Sequence, residues 1–139
     1  MMGEHDRALE SQELHYAVQD GDVASVRRLI ASGLPLDEFD ETGRTPLHYA
    51  VVAESVEMAT LLLDAGADVN AHDEAHDGNT PLAEVAGRCS PEIAEVLVVN
   101  GADPTIPGWM QLSALDRASG RKHPEGQRVF EMLQTAANR

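Results

Sequence analysis

The sequence predicts an all-helical stack of about four short helix pairs, and three observations carry that prediction. Leu14, Leu47 and Leu82 recur after 33 and then 35 residues, each within a similar segment. Each leucine is followed 19 residues later by a glycine, at Gly33, Gly66 and Gly101. A fixed internal length with small variation between units is the mark of stacked repeats. Third, hydrophobic residues make up 42% of the chain but aromatics only 4%. A core built from Leu, Val, Ile and Ala suits helices packed through small residues better than an aromatic-rich β-sandwich.

In the first unit Gln12-Glu13 stands where the next two units carry Thr-Pro, so its first helix is expected to reach back toward Asp6 as an N-terminal cap. In the second unit Thr45 is a good N-cap and Pro46 sits at the first helical position, where a missing N–H costs nothing. Leu47 and Ala50 then face inward. The second helix of this unit is expected to turn Val56, Ala59, Leu62 and Leu63 inward as one apolar face. Gly66 follows it and can take the left-handed conformation of a helix C-cap, as can Gly33 and Gly101. The Asp/Gly-rich residues beyond read as a tight, hairpin-like turn.

Thr80 and Pro81 open the third unit in the same way, and its two extra residues fall within His72 to Asp77, in a connection where insertions are tolerated. The fourth unit is degenerate. Leu115 and Ala118 hold its anchor places, and an insertion around His123-Pro124-Glu125-Gly126 is expected to precede a helix carrying Val129, Phe130, Met132 and Leu133. The expected organisation is a single domain, 1–139, with units at about 6–36, 37–69, 70–104 and 105–139. The first and last would act as caps, because one face of each meets water.

Thr45-Pro46-Leu47-His48 and Gly66-Ala67-Asp68-Val69-Asn70-Ala71 resemble the helix start and the helix exit of the ankyrin repeat, and the likeness extends over about nine-tenths of the chain. The resemblance implies an all-α solenoid of antiparallel helix pairs, with β-hairpin-like fingers projecting from one edge. It gives His15 and His48 a structural hydrogen-bonding role between a helix start and the neighbouring loop. Asn70 resembles a site that is hydroxylated in some eukaryotic ankyrin repeats, but it reads better as a turn residue tying the base of a finger.

The resemblance also implies a concave contact surface made of the finger tips and the exposed side of each first helix. Its first finger would offer Phe39, Glu41, Thr42 and Arg44; its second, His72, Asp73, Asp77 and Asn79; its third, Trp109, Met110 and Leu112. The first helices would add Gln19, Asp20, Val52, Ala53, Gly87 and Arg88. Phe39 and Trp109 are the sharper clues, since a lone aromatic on a finger has little core to enter. For Trp109 two readings stand side by side: a contact residue, or a lid folded back over the degenerate last unit.

With 24 acidic against 10 basic side chains the net charge is −14. Such a surface repels phosphate backbones, which excludes direct nucleic-acid binding, and it attracts and steers a basic partner. Its other use is solubility. No apolar stretch is long enough to span a bilayer, and Met1 to Glu10 is polar and acidic, which predicts no membrane segment and no secretory signal. The single cysteine, Cys89, excludes an internal disulfide and fits a reducing cytoplasm.

Chemistry finds little footing. His72-Asp73-Glu74-Ala75-His76-Asp77 brings imidazoles and carboxylates together, but two histidines four apart share a face only on a helix, and this segment maps to a finger. It reads as a solvated loop, so no metal is expected. The paired carboxylates Asp37, Glu38, Asp40 and Glu41 lack the cleft that acid–base catalysis needs. There is no Gly-rich phosphate loop, nucleophile elbow, CxxC pair or HExxH helix, so neither an enzyme nor a cofactor is expected. The sequence predicts a protein-binding module, monomeric alone, that occludes or scaffolds one basic protein. An immunity or antitoxin-type inhibitor of a toxin enzyme is the alternative within that class.

Overall fold

A computed structural model describes the backbone of residues 4–139 and the side chains from residue 12 onward. Its helices are α1 (Glu4–Gln19), α2 (Val23–Ala31), α3 (Pro46–Val52), α4 (Val56–Asp64), α5 (Pro81–Val85), α6 (Pro91–Val99), α7 (Ala114–Ala118) and α8 (Pro124–Ala137). No strand occurs among the described residues. The fold is an all-α ankyrin-type solenoid in two layers. α1, α3, α5 and α7 pack side by side, each on the next, as do α2, α4, α6 and α8.

Local chemistry sets where each helix begins. Asp22, Ser55, Thr80, Ser90 and Ser113 each accept the backbone N–H three residues on, at 3.1–3.2 Å, satisfying a donor that the helix itself leaves unpaired. Pro46, Pro81, Pro91 and Pro124 take first-turn places. Gly33, Gly66 and Gly101 end α2, α4 and α6 with φ of +85°, +103° and +92°, a region in which a side chain would be strained.

The core runs between the layers as one cluster. Leu14 and Val18 meet it from α1 and Val26 from α2; Leu47 and Val51 join Met58 and Leu62; Leu82 and Val85 join Ile93 and Leu97; Ala118 joins Val129 and Leu133. Cys89 is buried among these groups, and burial pushes its thiol up to about 11. Two expectations need correction. Val56 is exposed, and Met58 takes the inward place with Ala59, Leu62 and Leu63, because the buried stripe of α4 begins two residues, about half a turn, after its first residue. Pro124, Glu125 and Gly126 are not an insertion before the last helix but its first turn: His123 is the N-cap and Pro124 starts α8.

Hydrogen bonds between neighbouring units fix the fingers. His15 Nε2 donates to the carbonyls of Glu38 and Arg44 at 2.9 and 3.0 Å, and His48 Nε2 donates to the Asn79 carbonyl at 2.8 Å. Along the finger bases, Asp37 Oδ1 accepts the Asp68 N–H and Asn70 Oδ1 accepts the Asp103 N–H, both at 2.8 Å. The Asn70 amide also donates to the Gly101 carbonyl, which makes it the tie that its sequence context suggests. Among the described residues no helix is long and apolar enough to cross a membrane.

Candidate functional site

The first finger turns tightly between Asp40 and Arg44, whose backbone groups bond at 2.9 Å. Asp40 organises the turn: its Oδ1 accepts from the Thr42 N–H, the Thr42 hydroxyl and the Arg44 N–H at 2.9, 2.7 and 3.1 Å, and its Oδ2 accepts from the Tyr49 hydroxyl. Partial burial opposes ionisation of Asp40, but these donors outweigh it and hold the carboxyl at about 2. Phe39 stands beside this turn, 39% exposed, with Glu41 and Thr42 also open to solvent.

Arg44 is only half available. Its Nε lies 2.6 Å from Glu84 Oε1 on α5, tying the first finger to the third unit. Burial raises the Glu84 carboxyl, and Arg44 offsets only part of that effect. On the first helices, Val52 and Ala53 are exposed at the end of α3, Gln19 and Asp20 at the end of α1, and Gly87 and Arg88 beyond α5.

The second finger is more inward-looking than its composition suggests. His72 Nδ1 donates to the Asn70 carbonyl, Asp73 accepts from His76 Nδ1 and from the Ala75 N–H, and Asp77 accepts from the Asn79 N–H. These contacts build the loop locally. Among the described residues no three His, Cys, Asp or Glu side chains gather as they would around a metal ion. Asn79 must leave the contact surface. It is only 8% exposed, and its Oδ1 accepts from the Trp109 N–H at 3.0 Å and from Arg117 at 3.4 Å.

That asparagine is the seat of the third finger. Gly108 packs so close to it that a Cβ there would lie 2.1 Å from Asn79 Oδ1. A single 3₁₀ turn, Trp109–Gln111, follows, with Met110 and Gln111 both left-handed at φ of +59° and +62°. Such strain persists where its surroundings over-determine it. Here it presents Trp109 at 56% and Met110 at 68% exposure, with Leu112 exposed beside them. Trp109 therefore does not fold back as a lid.

Sequence reasoning missed Tyr16, the one large exposed aromatic on a first helix among the described residues, at 57%. The available signal was its spacing: Gln12, Tyr16 and Gln19 fall at i, i+4 and i+7, one stripe of α1.

Stacked helix pairs joined by side-chain ties at the finger bases define a helical repeat scaffold. The family model for ankyrin repeats (three copies) matches residues 4–73, and that for a single ankyrin repeat matches 77–109. The chain belongs to the ankyrin repeat family, whose domains are protein–protein interaction modules. Among its relatives are the nuclear factor NF-kappa-B p105 subunit of Mus musculus, 35% identical over 74% of this chain, and inversin of Mus musculus, 37% identical over 73%. The match spans only 11% and 9% of those proteins. The crystal structure of the ankyrin repeat domain of Bcl-3 superposes with a TM-score of 0.76 at 32% identity, over 87% of this chain and 50% of that one.

Proposed function

We propose that this chain is a non-catalytic module that occludes or scaffolds a basic partner protein through its finger and first-helix face. The carrying observation is Trp109, held outward by the Asn79 tie beside Met110, on a chain of net charge −14. An exposed aromatic whose backbone is already held contributes much contact area on binding, which is what an interface anchor needs. Phe39 is the second anchor, at the far end of the face from Trp109.

Surrounding carboxylates such as Glu41 and Glu74 steer rather than hold, since exposed charges act mainly on encounter. The same field disfavours nucleic acid, anionic membranes and a second copy of the chain. A non-catalytic role is supported by where the reactive groups lie. The Cys89 thiol is buried and protonated at neutral pH, and the His15 and His48 rings are engaged with backbone carbonyls. A reducing, cytoplasmic setting suits the single thiol.

The test is parallel capture from a native lysate on beads carrying the wild type, Phe39→Ala, Trp109→Ala, or the double variant Arg27→Ala/Arg28→Ala on the exposed face of α2. Mass spectrometry should find basic proteins retained by the wild type and the arginine variant and lost from both finger variants. Retention indifferent to the finger changes would contradict the proposal.

A further inference from the structure

Between α1 and the first finger lies a cavity of about 160 Å³ lined by Gln12, Tyr16, Gln19, Glu41, Thr42 and Tyr49, with Asp40 and His15 at its inner side. Its volume suits one side-chain head group, not a helix. Two aromatic rings belong to it. Tyr49 is immobilised: its hydroxyl bonds to Asp40, and its ring meets His15 edge-on with centroids 6.1 Å apart. Tyr16 is exposed, and its hydroxyl has no hydrogen-bond partner among the described residues.

Several polar groups around these rings have no hydrogen-bond partner among the described residues. Among the described residues Glu41 makes no ion pair or hydrogen bond through its carboxylate, and the Gln12 and Gln19 side-chain amides bond to nothing. Asp40 adds a fixed second anion. Arg44, the basic residue nearest in sequence, is spent on Glu84. Thus a ring surface, a carboxylate and two amide oxygens that have no partner among the described residues line one small space. Each of these attracts a cation, and the rings favour one that is flat and weakly hydrated.

We infer that this cavity is a slot for an arginine side chain of the partner, the guanidinium stacking on Tyr16 while its N–H groups reach Glu41 and the Gln12 and Gln19 amides. Lysine fits less well, because its compact ammonium cannot both stack on a ring and spread donors over acceptors on two elements. The inference rests on the proposed binding of a basic protein and adds which residue that protein inserts, and where. It also sets a place for specificity apart from the aromatic anchors at Phe39 and Trp109.

The experiment titrates Nα-acetyl-arginine amide and Nα-acetyl-citrulline amide, which has the same shape without the charge, into the ¹⁵N-labelled chain. Arginine amide should give saturable shifts centred on Tyr16, Glu41 and Thr42. The citrulline probe should bind at least about tenfold more weakly, and Tyr16→Leu and Glu41→Gln should each weaken arginine binding by about fivefold or more. Both variants keep a helix-compatible or isosteric side chain on the surface, and an unchanged spectrum elsewhere shows that they fold. Shifts scattered over all carboxylates, equal response to citrulline, or indifference to both variants would overturn the slot. Were partner capture still lost in Phe39→Ala and Trp109→Ala, the docking face would stand and the slot alone would fall.

Discussion

His48 of the second unit donates from Nε2 to the Asn79 carbonyl at 2.8 Å, while its Nδ1 accepts the Thr45 N–H at 3.0 Å. The ring therefore joins a helix start to the approach of the next helix, and it can do so only while neutral. A second proton on Nδ1 would remove the acceptor that Thr45 uses.

Stability should accordingly fall in mild acid. Burial lowers the His48 pKa from 6.5 to about 4, with nearby groups offsetting only part of that effect. Between those values acid protonates the unfolded chain but not the folded one. Stability is then full above 6.5, declines as the pH drops toward 4, and levels off below. The contribution is on the order of 3 kcal/mol. Urea unfolding at pH 7 and pH 4.5 measures it; His48→Gln should flatten the difference, and an equally steep decline in that variant would contradict this account.

Two glycines should fail for opposite reasons. Gly66 has φ of +103° and open space where a Cβ would go, so Gly66→Val carries backbone strain alone, about 1–2 kcal/mol by chemical denaturation. Gly108 has an ordinary φ of −117° but no space beside Asn79. Gly108→Ala should displace Asn79 from the Trp109 N–H, and amide exchange at Trp109 should accelerate. A protected Trp109 amide in that variant would argue against the tie.

The Arg44–Glu84 pair should show strong coupling. Glu84 is 10% exposed, so Arg44→Met strands a carboxylate that burial already disfavours, and the loss should be about 1–3 kcal/mol. Adding Glu84→Gln should restore part of it. Additive losses in the double-mutant cycle would mean that the two side chains act independently.

What could be read in the sequence was what local chemistry decides. Thr45 and Thr80 cap helices, and Gly33, Gly66 and Gly101 end them, because those roles depend on a few consecutive residues. The readings that missed depend on distant partners. Asn79 looked like a finger-tip residue until Trp109, thirty positions on, claimed its side chain. Tyr16 looked like an ordinary helix position because the cavity it lines exists only once Asp40 and Tyr49 are packed opposite it. Val56 fits an apolar helical spacing, but where the inward stripe begins on a helix of nine residues is set by its neighbours.

Encounter with the partner should depend on salt. Exposed carboxylates such as Glu41 and Glu74 act through a field that falls off over about 8 Å at physiological ionic strength. The association rate measured by stopped flow should drop markedly between low and high salt, with dissociation little changed. A rate indifferent to salt would assign the charge of the chain to solubility.

The most direct test of the account is the affinity of the captured partner for an alanine series on the two sides of the solenoid, with circular dichroism confirming that each variant folds. Phe39→Ala and Trp109→Ala should each weaken binding by about 2 kcal/mol or more, and Asp77→Ala by roughly 0–1 kcal/mol. Arg27→Ala and Arg28→Ala on α2 should leave it unchanged. Loss of binding in the two arginine variants, with none in Phe39→Ala and Trp109→Ala, would place the partner on the second-helix side and contradict the central claim.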